Sequence, residues 1–241
     1  MIEINNDLWS KHTVKFLHGS DGEPYVFRFI LPYKPEKLNA LIEDWRVKMT
    51  PEQKARAWAS DFEPHRVGFV RVDGGHNSHL VECIGMSWNQ IRRLQEVNIR
   101  KVVPVNEKFN QMAMSVLVLT KDDKVVISKR SKKVESHQGL WHVSAAGLID
   151  RDIAGSTRTG FPQVFIELNE EVGVLPQEVV DLKTLGLVRN TEHECAGIEM
   201  CFVARVKLTA QELLERANGA KDSWEGKHSC FSEDEIKKML E

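Results

Sequence analysis

Apolar residues recur at two spacings along this chain, and the change between them divides it. Leu38, Leu41, Ile42 and Trp45 fall at i, i+3, i+4 and i+7, which predicts one buried face of a helix starting after Pro35. Residues 25–31 before it, and 67–72 and 79–84 after it, read as strands, the last two joined by a turn-rich stretch at 73–78. Thr50 with Gln53, and Ser87 with Gln90, have the capping-box spacing. They predict helices running from 50 toward Phe62 and over Ile91 and Leu94, the latter stopped by Pro104. The first 105 residues thus read as a small α+β unit.

From Met112 the pattern turns to apolar strands over 112–119, 125–128 and 141–149. A helix follows at 161–172, with Pro162 early in its first turn and Gly173 placed to end it. Strands at 182–188 and 198–206 and helices at 208–217 and from 233 onward complete residues 106–241. Strands outnumber helices there and do not alternate with them. A mixed sheet covered by helices, in the α+β class, fits better than a doubly wound parallel one.

Composition narrows the function classes. In 241 residues, 33 Lys+Arg stand against 35 Asp+Glu, for a net charge of −2. That balance gives no global field for a nucleic acid or an anionic membrane surface. No stretch approaches the roughly 20 apolar residues of a bilayer span. Cys83, Cys195, Cys201 and Cys230 form no C-x-x-C pair, and the start lacks the apolar run of a signal peptide. Reduced thiols in a cytoplasmic protein are expected.

The chemistry concentrates on the helix at 161–172. Glu167, Glu170 and Glu171 stand at i, i+3 and i+4, and no Lys or Arg occurs from 161 to 174. Like charges at that spacing repel by about 0.2–0.5 kcal/mol per pair, and two of them sit near the C-terminal end of the helix dipole. The compensating cation must come from elsewhere. An all-carboxylate donor set suits Mg2+ or Mn2+ better than zinc, while the plain alternative is a solvated acidic face.

The string around these residues, Gly147-Leu148-Ile149 and then Glu167-Leu168-Asn169-Glu170-Glu171-Val172-Gly173-Val174, resembles the Nudix hydrolase superfamily. The second half of the family box matches except that its arginine is Ile166 here. In the first half, Gly147 stands further from Glu167 than the family spacing, which implies an insertion around 150–160. Arg151 or Arg158 is expected to brace that loop. The resemblance implies an α/β/α sandwich with a mixed sheet, a small-molecule diphosphate substrate and a Mg2+ or Mn2+ cofactor. It also implies metal ligation by Glu167, Glu170, Glu171 and the Gly147 carbonyl, with the base for water drawn from those glutamates or from Glu199.

Other residues qualify for the same site. Five basic residues and no acid lie between 124 and 133, a field suited to a polyphosphate, with Arg130 and Lys129 as substrate-binding candidates. Trp141 is a candidate for base stacking or for packing. Glu199 and Glu194 are alternatives for one further carboxylate, and His193 reads as a surface histidine. Residues 1–105 read as structural, either a dimerisation element or a wall of the pocket; a homodimer is possible. Two other classes remain: an isopentenyl-diphosphate isomerase, whose cysteine is missing from 144–146, and a non-catalytic sensor on the same fold.

Overall fold

The structure, a computed structural model, describes residues 2–3, 13–22, 25–29, 35–48, 50–51, 66–72, 80–104, 108–134, 137–152, 159–190 and 197–240. In chain order these form β1 (Ile2–Glu3), β2 (Thr13–Gly22), β3 (Val26–Phe29), α1 (Glu36–Val47), β4 (Arg66–Val72), β5 (Leu80–Met86), α2 (Trp88–Leu94) and α3 (Val97–Val102). There follow β6 (Asn110–Leu119), β7 (Val125–Arg130), β8 (Trp141–His142), β9 (Ala145–Leu148), α4 (Phe161–Val172), β10 (Val179–Asn190), β11 (Ile198–Val206), α5 (Ala210–Ala217), β12 (Gly226–Phe231) and α6 (Glu233–Leu240). The expected helix from 50 and the turn at 73–78 fall almost wholly outside the described residues.

β6 is the hub. Met112, Met114, Val116 and Val118 are fully buried, as alternation along a half-covered strand requires. β11 runs parallel to β6 from Ile198 opposite Met112 to Arg205 opposite Leu119. β4, β9 and β7 pair with successive stretches of β6, all antiparallel. Among the described residues the strands make one mixed sheet in the order β1-β2-β10-β11-β6-β4-β5-β3, with β7 and β9 branching from β6 and β8 and β12 pairing with β7. The α+β class with a mixed sheet is therefore the fold of this protein.

The first hundred residues join that sheet through β2 on β10 and β4 on β6. They keep a core of their own around Leu38, Ile42, Met86, Ile91 and Leu94. They also lend Tyr25, Phe27, Val67, Val81 and Cys83 to the main core.

Several elements differ from the pattern reading, each for a local reason. The strand expected over 141–149 is two. Ser144 is fully buried, its hydroxyl accepting the Val118 N–H at 2.7 Å and donating to the Val126 carbonyl at 2.6 Å. A side chain thus substitutes for ladder bonds, and the chain passes from β7 to β6 there. The helix after Ser87 breaks at Gln95 into α2 and α3. The helix expected from 208 starts at Ala210, because Thr209 and Glu212 form a capping box. β2 and β12 carry too few regularly spaced apolar residues to have been anticipated. Among the described residues no helix is long and apolar enough to cross a membrane.

Candidate functional site

Helix α4 starts at Gly160 with Pro162 in its first turn and ends where Gly173 turns left-handed, φ 72°. The Gly173 and Val174 N–H groups close on the Asn169 and Leu168 carbonyls, a glycine-terminated helix end. The inward face carries buried Val164, Leu168 and Val172, but Gln163 and Glu171 are buried alongside them. Gln163, Glu167 and Glu171, one helical turn apart, form a polar row against β9.

Each member of that row has a definite partner. Glu171 Oε1 accepts the Ala146 N–H at 2.9 Å. Burial pushes its carboxyl up to about 8; the Ala146 hydrogen bond and Arg130 oppose the rise, and the Glu167 and Glu225 carboxylates add to it. Burial likewise raises Glu167, against a hydrogen bond from Gln163 and with repulsion from Glu170 and Glu225. Gln163 donates to Glu167 Oε1 at 2.8 Å and accepts the Asp150 N–H at 3.2 Å. It thereby ties the helix to the end of β9, a role the sequence reading missed.

Gly147 is where the strand meets this row. A Cβ there would overlap the Glu167 carboxylate, so only glycine admits Glu167 in its present position. Gly147→Ala is expected to push the Glu167 carboxylate aside at a cost of roughly 1 kcal/mol or more in stability. If Glu167 serves catalysis, turnover falls much further than that cost implies. A thermal melt beside an activity assay checks it, and an alanine variant of parental activity would detach Glu167 from the chemistry.

Two long-range ion pairs meet this site. Lys221, in the turn after α5, pairs with Glu170, and the Asp222 N–H donates to the Glu170 carbonyl at 2.8 Å. Absence of basic residues within the helix could not reveal a partner 51 positions away. Asp150, where the chain leaves β9, pairs with Arg66 of β4 at 3.6 Å. Arg158 lies outside the described residues.

A cavity of about 490 Å³ opens against β9, lined by Ala146, Gly147 and Leu148 together with Arg130, Lys133, Glu199, Glu225, Trp88 and Trp224. Glu199 accepts the Ser115 hydroxyl at 2.7 Å. Arg130 ends β7 on the cavity side, while its neighbour Lys129 alternates to the other face. There the Lys129 ammonium lies 5.7 Å over the Trp141 ring, which also meets Phe231 edge-on at 5.6 Å. Lys129 and Trp141 are thus packed together away from the cavity lining. Glu225, Trp224 and Lys221 were not anticipated, because the turn that carries them has no periodicity to read. Glu192, His193, Glu194 and Cys195 lie outside the described residues. Burial, with Glu199 adding, pushes the Cys201 thiol up to about 12, so it stays protonated and offers no reactive thiolate.

The donor set fits a hard divalent cation in kind. Glu171 is buried and raised further by the half-buried Glu167 carboxylate, and Gly147 brings its backbone to that Glu167 carboxylate. Among the described residues no three His, Cys, Asp or Glu side chains converge into a metal-holding group, and Glu170 is engaged by Lys221.

No protein-family model matches the chain, and no curated protein matches it. Among solved structures it is similar to the NUDIX domain of NrtR from Shewanella oneidensis, complexed with ADP ribose, at 18% identity and TM-score 0.41 over 60% of this chain and 87% of that one. It is similar to the MutT protein of Methanosarcina mazei Go1 at 18% identity and TM-score 0.32 over 53% of this chain and 80% of that one. A NUDIX-family hydrolase from Clostridium perfringens is 12% identical, with TM-score 0.36 over 54% of this chain and 85% of that one.

Proposed function

We propose that this protein is a Nudix-type hydrolase of the cytoplasm that cleaves the phosphoric anhydride of a nucleoside diphosphate linked to another group, with Mg2+ or Mn2+ as cofactor. The observation that carries the reading is the pair of carboxylates, half-buried Glu167 and buried Glu171, both raised by desolvation and set against β9 where it lines a cavity containing Arg130 and Lys133. Ionised carboxylates drawn out of water are costly, and a cation relieves that cost.

Glu167, Glu171 and the Gly147 carbonyl are the assigned ligands, with Glu170 as the third carboxylate. When bound, the cation neutralises diphosphate oxygens and makes water more acidic. Arg130 and Lys133 balance the remaining phosphate charge. The Ser115 hydroxyl holds the Glu199 carboxylate in one orientation, and Glu199 is assigned as the base that takes the proton from water. The Lys221 ion pair holds Glu170 in place on the flank of the helix. Residues 1–105 are assigned as an α+β unit beside the hydrolase domain of 106–241.

The test is a phosphate-release screen over nucleotide sugars, dinucleoside polyphosphates, ADP-ribose and nucleoside diphosphates, with and without Mg2+. Release from at least one compound, dependent on the metal, is the expected result. A blank panel would overturn the hydrolase assignment in favour of a non-catalytic sensor.

A further inference from the structure

The cavity beside β9 is not purely a phosphate site. Its lining includes two tryptophans from parts of the chain that the proposed chemistry does not use, Trp88 and Trp224. Trp88 is the first residue of α2, directly after the Ser87 capping box, and packs against the core of the first hundred residues. Its ring is therefore seated by the capped helix and by that core. Trp224 is 47% exposed, unusual for so large an apolar ring, and its indole N–H donates to Asp222 at 3.1 Å. With that polar edge engaged, the ring offers mainly its π-face. The turn that carries it is held in turn, since the Glu225 N–H donates to the Asp222 carbonyl at 2.9 Å and the Glu225 carbonyl accepts the Ser131 N–H at 2.7 Å.

We infer that Trp88 and Trp224 form the stacking platform for the nucleobase of the substrate, so that residues 1–105 take part in substrate recognition. The inference rests on the hydrolase reading above for the nature of the substrate. The same cavity supplies both kinds of recognition a nucleoside phosphate needs: cationic groups in Arg130 and Lys133, and aromatic faces for a planar ring. Its volume of about 490 Å³ is that of a site for one small molecule. Stacking on indole tolerates any base, because every base has a π-face. Selection among bases would then come from polar groups at the ring edge, for which His137 and His142 of the same lining are the nearest in kind. Trp141, the tryptophan that the family-like stretch singles out, is occupied with Lys129 and Phe231.

Titration calorimetry with stable probes tests this in Mg2+ buffer. The four nucleoside 5′-monophosphates carry base and phosphate without an anhydride bond, and ribose 5-phosphate is the same ligand lacking the base. At least one monophosphate is expected to bind roughly tenfold or more tighter than ribose 5-phosphate. Trp88→Ala and Trp224→Ala should each weaken that monophosphate by roughly fivefold or more while leaving ribose 5-phosphate within about twofold, and the Phe variants should retain most of the affinity. Circular dichroism melts exclude variants that have lost the fold, and the two sites, in separate elements, provide independent readings. Equal binding of all five probes, unaffected by either Ala variant, would overturn the stacking platform and leave the phosphate site and the hydrolase reading standing. Failure of all five to bind would overturn both.

Discussion

Glu171→Gln is expected to lower diphosphate hydrolysis by roughly two to three orders of magnitude, the scale on which a preorganised charge at a reacting centre acts, without loss of the fold. The two outcomes together are the point. A glutamine of nearly the same shape can still accept the Ala146 N–H that Glu171 accepts at 2.9 Å, so the tie between α4 and β9 survives. What disappears is a buried acid raised to about 8 by its burial and by its neighbours Glu167 and Glu225. In chelator at pH 8.5 the variant should therefore melt at or above the parent's temperature. Added Mg2+ should raise the parent's Tm by mass action and the variant's much less. Parental turnover in Glu171→Gln, with melting indifferent to Mg2+ in both proteins, would return these glutamates to a purely structural role.

In chelator, the stability of the parent protein should fall as the pH rises from about 5 to 8.5. The folded state holds the Glu171 proton up to about pH 8, whereas an unfolded glutamate releases it near its ordinary value of 4.5. Between those values folding takes up a proton, so each step up in pH favours the unfolded chain. The change is at most about 5 kcal/mol if Glu171 acted alone. Glu167 and Glu225, both raised by burial, shift stability in the same direction. Carboxylates held low, such as Glu82 with its hydrogen bonds from Arg71 and Arg28, act below 4.5, and their contribution is complete before this window opens; His228, lowered by burial, opposes the fall only up to its ordinary value of 6.5, so the loss is clearest above that pH. Urea titrations at half-unit pH steps, on parent and Glu171→Gln, measure the effect. The variant's curve should be distinctly flatter, and parallel curves would mean that Glu171 ionises normally. Saturating Mg2+ should reduce the parent's loss at high pH, since ligation favours the ionised carboxylate.

The sequence alone determined those features that depend on near neighbours in the chain. Helix α4 was legible to the residue, because its apolar stripe, Pro162 and the left-handed Gly173 are all local signals. So were the buried alternation of β6, the Ser87–Gln90 cap and the acidic face itself. The mixed character of the sheet followed from the order of strands and helices. Tertiary structure alone decided which acids face what. Periodicity put Glu167, Glu170 and Glu171 on one side of a helix, but only packing against β9 buried Glu171 and left Glu170 to Lys221. It also chose between Lys129 and Arg130, because strand alternation predicts that neighbours face apart without saying which of them meets the cavity. The polar groups joined over long separations could not be read at all: Gln163 to Asp150, Arg66 to Asp150, Ser115 to Glu199. Such contacts leave no period in the sequence. They arise when separate elements bury their apolar faces together, and the polar groups carried along must then find partners on chain far away.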